Sequence, residues 1–279
     1  MCVSKPDSEW GMRKDGNKRW DFVDSSWGKG RQRLWRKHSD AINCSLVAGW
    51  IPEGVSGSIL KTDLFDEMVG EGLFSSLLKQ AKQFIGVDIS LATVRIACAR
   101  HEGLSGIAAD VRRLPFSDGK FDLIVSNSTL DHFEKHESIE ESFAEIFRVL
   151  REGGQLILTM DNRMNPLVAV RNAIPSWLLK SMRLTPYYVG ATWGPRGLRK
   201  HLIQAGFEVN ELDAIMHCPR VLAVAAAFIL ERMGPRPLQK LFLQGLSSFE
   251  ILKYLPTRFL TGHFVAVKAA KKRSERLEK

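Results

Sequence analysis

The stretch GSILKTDLFDEMVGEGLFSSLLKQAKQFIGVDIS, residues 57–90, determines how the rest of the chain is organised. It begins with an apolar run of strand length from Ile59 to Phe65, passes through a short helical segment after Gly72, and closes on a second apolar run that ends at Asp88. This order predicts a β-α-β unit. An acid at the carboxyl end of a strand in a doubly wound sheet can accept hydrogen bonds from both hydroxyls of a ribose. Asp88 is therefore the first predicted ligand-binding residue.

Helices and strands continue to alternate after this unit, as the spacing of apolar residues indicates. The predicted order is helix 91–100, strand 106–110, strand 121–126, helix 139–150, strand 155–160, helix 198–205, strand 207–215, a helical region at 221–254 and strand 262–268. Such alternation predicts an α/β domain with a mainly parallel sheet that is covered by helices on both faces.

Charge, cysteine spacing and apolar run length limit the partners of the chain. The 279 residues have a formal net charge of +9, and the positive charge is concentrated in residues 1–50 and 268–279. Basic ends favour an anionic surface, either membrane or nucleic acid, or are simply solvated tails. The four cysteines lack the paired spacing of zinc or redox sites, so we expect no metal and reduced thiols in a cytoplasmic protein. The longest apolar run, 221–230, is too short to span a bilayer.

Composition divides the chain into segments around the predicted core. Residues 1–31 lack periodicity and are expected to form a mobile arm, and residues 32–49 have the spacing of a helix that docks on the core. The proline-interrupted segment 162–195 and the apolar segment 218–256 are expected to form lids over a ligand site. Residues 269–279 are expected to form a basic tail.

Two further blocks of sequence carry a family resemblance. The blocks ADVRRLPFSDGKFDLIVSN at 109–127 and RVLREGG at 148–154 resemble the class I S-adenosylmethionine-dependent methyltransferases, in particular the methyltransferase type 11-like group. The resemblance implies a Rossmann-like, seven-stranded sheet in a domain spanning 32–268, and S-adenosylmethionine as the cofactor. In that family the acid matching Asp110 accepts a hydrogen bond from the adenine amino group, and the backbone amide matching Val111 meets the adenine ring.

The first motif of this chain departs from the family's pattern. Where the family typically reads V-L-D-L-G-C-G-T-G, residues 59–67 read ILKTDLFDE, with Lys61 at the usual acid and no glycine before Gly70. Glycines let the backbone approach a ligand closely. Their loss predicts a rebuilt loop in which Asp63 or Glu67 faces the ammonium group of the cofactor. A decayed and inactive cofactor site is the alternative.

The predicted cofactor-binding residues lie at or near the carboxyl ends of the first four predicted strands. They are Thr62, Asp63, Phe65, Glu67, Gly70, Asp88, Ile89, Asp110, Val111, Ser126 and Asn127. His132 and His38 are weak catalytic candidates, because histidines in such positions are more often structural hydrogen-bonding residues. Methyl transfer is an in-line displacement on an activated methyl group, so positioning matters more than any fixed catalytic residue.

These observations predict an enzyme that transfers a methyl group from S-adenosylmethionine to a small, apolar or lipid-like acceptor. The basic ends and apolar lids extend this prediction to peripheral contact with an anionic membrane. The alternative is a noncatalytic Rossmann-like module that binds a nucleotide or a partner. A nicotinamide-dependent reductase is disfavoured because no G-x-G-x-x-G follows the first strand. Nucleic-acid methylation is disfavoured because Asn127-Ser-Thr-Leu replaces the expected Asn/Asp-Pro-Pro-aromatic motif. The methylated atom and the oligomeric state are not predicted.

Overall fold

The computed structural model describes residues 32–51, 57–79, 81–174 and 190–273. The predicted arm at 1–31 lies outside these residues, and so do the last six residues of the predicted basic tail. Three aromatic residues of the first predicted lid are also outside them: Trp177, Tyr187 and Tyr188.

A seven-stranded sheet with the order β3-β2-β1-β4-β5-β7-β6 forms the centre of the structure. The strands are β1 (Gly57–Lys61), β2 (Ala81–Asp88), β3 (Ser105–Ala108), β4 (Phe121–Asn127), β5 (Leu150–Asp161), β6 (Phe207–Ile215) and β7 (Phe264–Lys271). Strands β1 to β5 are parallel to one another, whereas β7 is antiparallel to both β5 and β6. The predicted doubly wound, mainly parallel fold is confirmed, with an antiparallel arrangement at one edge.

Helices connect the strands and cover the sheet. The helices in the described part of the chain are α1 (Arg33–Trp50), α2 (Phe65–Val69), α3 (Phe74–Leu78), α4 (Leu91–Arg100), α5 (His136–Val149), α6 (Pro166–Ala173), α7 (Pro195–Gln204), α8 (Arg220–Met233), α9 (Arg236–Ser248) and α10 (Arg258–Thr261). Two 3-10 turns complete the list, at Leu130–His132 and Phe249–Tyr254.

Both faces of the sheet are buried. Ile59 and Leu60 are neighbours on β1 and fully buried, yet they belong to two different apolar clusters. Successive side chains on a strand point to opposite faces, so each face has its own core. Helices α5 and α7 contribute to one cluster, and helices α2, α3 and α4 contribute to the other. A strand buried on both faces reads as a continuous apolar run, which is why these strands could be predicted.

Helix α1 docks outside the sheet, where it packs against α8 and α9. This contact forms a third apolar cluster that includes Leu34 and Trp35 of α1 and Leu246 of α9. The buried residues of α1 are Leu34, Trp35, His38, Asn43 and Val47, whereas Ala41, Ser45 and Gly49 are exposed.

Several predicted boundaries are also wrong. Strand β1 ends at Lys61 rather than at Phe65, because the chain turns into α2 at that point. Strand β7 continues to Lys271, so residues 269–271 of the predicted tail pair with β5 and β6. The described parts of the predicted lids 162–195 and 218–256 contain regular helices, namely α6, α8 and α9.

Candidate active site

A cavity of about 940 Å3 opens beyond the carboxyl ends of β1, β2 and β4. Strand β1 lies between β2 and β4, so the chain order reverses at this point and creates the crevice in which doubly wound sheets bind ligands. The predicted site residues that line the cavity are Thr62, Asp63, Phe65, Asp88, Ile89, Asp110, Val111, Asn127 and His132. The volume is near the upper end of the range for small-molecule sites, roughly 300–1,000 Å3.

Asp88 ends β2 at the cavity wall, and backbone amides hold its carboxylate. Its Oδ2 accepts a hydrogen bond from the Leu64 amide at 3.0 Å, and its Oδ1 accepts one from the Ser90 amide at 2.8 Å. Ser90 in turn caps α4, because its hydroxyl accepts from the Thr93 amide at 3.2 Å. A carboxylate oxygen can accept more than one hydrogen bond, so this fixed group is suited to receive two ribose hydroxyls.

Asp110 lies on the same wall and forms a bidentate ion pair with Arg112. Arg112 donates to its Oδ2 from Nη2 at 2.6 Å and to its Oδ1 from Nε at 3.0 Å, and these hydrogen bonds raise the pKa of Arg112. The guanidinium also lies 5.0 Å from the ring centre of Phe133. An adenine amino group bound by Asp110 would therefore share the carboxylate with Arg112.

Lys61 occupies the position of the usual acid, and it is fully buried. Its ammonium donates to Glu67 Oε2 at 2.9 Å and to the carbonyl oxygen of Asp63 at 2.8 Å, and it lies 3.4 Å from Asp63 Oδ2. Burial alone lowers the pKa of an ammonium, but the carboxylates of Asp63 and Glu67 outweigh it and raise the pKa of Lys61. The lysine is thus a charged structural centre of the loop that follows β1.

Three predicted cofactor-binding residues do not line the cavity. Glu67 does not line the cavity: it is fully buried, and its Oε1 accepts from the Leu73 amide at 2.9 Å while Oε2 binds Lys61. Gly70 is likewise outside the lining, and its carbonyl contacts the ring of His101 at 3.1 Å. Ser126 is buried beneath Thr62, whose hydroxyl donates to it at 2.9 Å.

An acidic wall replaces the missing glycine-rich turn. Asp63, Asp66 and Asp40 all line the cavity, and Arg36 lies 3.4 Å from Asp66. Burial, and next the charge of Asp66, raise the pKa of Asp40 to about 7. Sequence analysis missed Asp40 because α1 is distant in the chain and was interpreted only as a docking helix. The excess of acids makes this wall suited to bind a cation.

The two histidine candidates have different environments. His132 lines the cavity from the turn after β4, where it could contact an acceptor. His38 is buried in the interface of α1, and its Nε2 lies 3.7 Å from the sulfur of Cys218. His38 does not line the cavity, so of the two histidines only His132 lies where it could contact an acceptor.

The opposite end of the cavity combines charged and apolar residues that sequence analysis did not select. Asp161 at the end of β5, Arg171 of α6, Arg220 of α8 and His263 before β7 meet there. The apolar lining around them comes from the predicted lids, from α10 and from β7: Leu167, Val168, Val170, Ile174, Val221, Val224, Leu260 and Phe264. The position of Asp161 at a strand end was the one sequence signal for this group.

Part of this chain is similar to known methyltransferases. Residues 67–158 match the model of a family described as a methyltransferase domain. A demethylmenaquinone methyltransferase of Thermobifida fusca is 25% identical over 50% of this chain and 55% of its own length. A malonyl-[acyl-carrier protein] O-methyltransferase of Hamiltonella defensa is 27% identical over 46% of this chain and 48% of its own length. The chain thus spans about half the length of these curated relatives.

Solved structures share the fold over most of this chain. The geranyl diphosphate C-methyltransferase of Streptomyces coelicolor, solved with S-adenosyl-L-homocysteine, matches with a TM-score of 0.52 and 12% identity over 83% of this chain and 77% of its own. At this identity the likeness concerns the fold alone. Together with the family match, it confirms the resemblance to class I methyltransferases that the sequence indicated.

Proposed function

We propose that this chain is an S-adenosylmethionine-dependent methyltransferase that acts on a small, apolar or lipid-like acceptor. One observation carries the proposal: a single cavity at the reversal of strand order is lined by Asp88, Asp110 and an acidic wall on one side, and by an apolar surface on the other. The methyltransferase domain match at 67–158 supports the same activity.

The residues of the cavity fit the chemical parts of the cofactor. Asp88 would bind the ribose hydroxyls, and Asp110 with the backbone of Val111 would bind the adenine. Asp63 and Asp66 would bind the ammonium group, for which a carboxylate is the natural partner in a partly desolvated site. When bound, the cofactor supplies a methyl group that is already activated by the sulfonium. The chain's own residues then need to hold both reactants in line and exclude water.

The rebuilt first loop is compatible with binding rather than decay. A decayed site would have no reason to keep three acids on the cavity wall. Here Lys61 holds the loop from beneath through Glu67 and the Asp63 carbonyl, and the Asp63 carboxylate, 3.4 Å from the ammonium, lines the cavity. We therefore favour the enzyme over the noncatalytic module.

Calorimetric titration with S-adenosylmethionine and S-adenosylhomocysteine tests this proposal. Replacing Asp88 with Ala should weaken binding about a hundredfold or more, because two hydrogen bonds to a charged acceptor are worth about 1.5–3 kcal/mol each. Asp122→Ala is the matched control: this carboxylate also accepts from a backbone amide, that of Ser58 at 2.7 Å, but lies outside the cavity. Absence of binding to the wild type would support the noncatalytic module, and equal affinity of the Asp88 variant would refute the placement.

The apolar acceptor is supported by the lining of the cavity's far end and by the name of the demethylmenaquinone relative. The protein surface around the opening of the cavity is also apolar. Exposed apolar side chains cover α8, where Val221 and Met233 are 76% and 82% exposed, and Leu167 and Val170 of α6 are also exposed. An exposed apolar patch of this kind marks an interaction site on a protein surface.

We propose that this patch contacts an anionic bilayer from which the acceptor enters. Basic residues accompany it at the end of α8 and along α9, namely Arg232, Arg236 and Lys240, and they are exposed. Positive charge beside exposed apolar residues favours a surface of anionic lipid over a neutral partner. No helix in the described ranges is long and apolar enough to cross a membrane.

Vesicle flotation tests the membrane contact. The wild type should float with phosphatidylglycerol vesicles at low salt and lose binding at high salt, because the attraction is partly electrostatic. Leu222→Glu with Met233→Glu should abolish flotation, whereas Ile96→Glu on α4, where an exposed apolar residue lies outside this patch, should not. A wild type that stays in solution under every condition would remove the membrane from the proposal and leave the apolar cavity.

A further inference from the structure

Only one oxygen of the Asp161 carboxylate accepts a hydrogen bond among the described residues. Its side chain is 10% exposed, and Arg171 Nη2 donates to its Oδ2 at 2.5 Å. Its Oδ1 is buried and has no hydrogen-bond partner among the described residues, although the residue lines the cavity. Buried polar atoms are nearly always hydrogen-bonded, so an unpartnered carboxylate oxygen in a cavity wall points to a missing donor.

His263 cannot be that donor. Its Nε2 lies 3.4 Å from Asp161 Oδ1, but it also lies 2.9 Å from Arg220 Nη1. A guanidinium only donates, so Nε2 must be the accepting, unprotonated nitrogen of the ring and has no proton for Asp161. Burial lowers the pKa of His263 to about 4, which keeps the imidazole neutral at pH 7.

The remaining neighbours define the charge of the missing donor. Burial alone would raise the pKa of Asp161, but its close contact with His263, followed by the charges of Arg171 and Arg220, holds it below its usual range, so the carboxylate is ionised. Asp131 faces it from the turn after β4 and accepts from the Asp161 amide at 2.9 Å. A third cation at Oδ1 would be repelled by Arg171 and Arg220, and an anion would be repelled by Asp161. A neutral hydroxyl would be repelled neither by the arginines nor by Asp161.

We propose that Asp161 binds a hydroxyl group of the methyl acceptor, and that the acceptor is an apolar molecule with a hydroxyl head. The inference rests on the proposed function, which places the acceptor at this end of the cavity. The apolar body would contact Leu167, Val170 and Val221 near the opening. Asp161 is an acceptor-binding residue here, and its low pKa makes it a hydrogen-bond acceptor rather than a base.

Two probes of nearly equal shape test this role. On protein saturated with S-adenosylhomocysteine, 2-naphthol, which donates a hydrogen bond, should bind about tenfold more tightly than 2-methoxynaphthalene, which only accepts one. In Asp161→Asn, Arg171 should hold the amide oxygen, so that the amide nitrogen points into the cavity as a donor. The preference should then disappear or reverse, which a merely structural role would not produce.

The outcomes separate the two proposals. If the wild type does not bind S-adenosylhomocysteine, the proposed function itself is overturned. Retained S-adenosylhomocysteine binding with equal affinity for the two probes, or with binding of neither, would overturn only the hydroxyl site. Unchanged S-adenosylhomocysteine affinity of Asp161→Asn shows that the variant is folded and makes its probe preference decisive.

Discussion

Replacing Glu67 with Gln tests whether this residue belongs to the core or to the cofactor site. The substitution keeps the shape of the side chain but removes the charge that faces Lys61 at 2.9 Å. Both side chains are fully buried, so the ammonium would be left in the interior with a weaker set of partners. We expect the folded state to be destabilised while the cavity wall is unchanged.

The magnitude follows from the partners that remain. Removing one member of a buried ion pair costs about 3–5 kcal/mol when the other charge is left alone. Lys61 would keep the Asp63 carbonyl at 2.8 Å and the Asp63 carboxylate at 3.4 Å. We therefore expect about 2–3 kcal/mol, which corresponds to a fall in melting temperature of roughly 4–12 °C for a domain of this size.

Chemical denaturation and calorimetry together check this expectation. Asp63→Asn is the matched variant, because Asp63 lines the cavity whereas Glu67 does not. Glu67→Gln should lower stability and preserve the affinity for S-adenosylhomocysteine, and Asp63→Asn should weaken that affinity more than it lowers stability. The double variant Lys61→Met with Glu67→Gln should lose less than the sum of the two single losses. A change in melting temperature below about 1 °C for Glu67→Gln, or a larger loss of affinity than for Asp63→Asn, would refute this reasoning.

Two further predictions concern the acidic wall and the loop that follows β1. The pKa of Asp40 is raised to about 7, and a bound ammonium group favours the ionised carboxylate, so affinity for S-adenosylmethionine should rise with pH below 7 and level off above it. Asp40→Asn should flatten this profile in titrations from pH 5.5 to 8.5. A flat profile for the wild type would contradict the role of Asp40. Gly72 has a φ of 55°, and a Cβ there would lie 2.4 Å from Glu67 Oε1, so Gly72→Ala should lower the free energy of unfolding in urea by about 1–3 kcal/mol. Gly70 has an extended backbone, and a Cβ there would make no contact below 3.5 Å, so Gly70→Ala should lower it clearly less.

Local patterns were enough to predict the alternation of strands and helices and a mainly parallel sheet, whereas the number of strands was implied by the family resemblance. The central strands are buried on both faces, and such strands keep a continuous apolar run that can be recognised without any knowledge of tertiary contacts. Asp88 could be selected because it ends such a run, whereas Asp110 was selected through the family resemblance of residues 109–127. Their placement at the cavity wall follows from parallel strands ending at one edge of the sheet.

The direction of the acids after β1 could not be predicted. Asp63 and Glu67 are both acids in one short loop, and no local pattern distinguishes the one that faces the cavity from the one that binds Lys61. The difference depends on the buried ammonium, whose position is fixed by the sheet. Asp161, Arg220 and His263 were missed because they are far apart in the chain and meet only when β7 is inserted beside β5.

The insertion of β7 between β5 and β6 also affects how the chain can be synthesised and folded. Strand β6 ends at Ile215, but its only strand partner in the described sheet begins at Phe264. During translation at about 5–20 residues per second, β6 must therefore wait on the order of seconds before it can join the sheet. Throughout that interval the edge of β5 has no neighbour on that side, so the nascent chain exposes backbone groups that can pair with another chain. Slow translation of the segment between these strands, or loss of a chaperone that shields them, is expected to lower the yield of folded protein without changing its final stability.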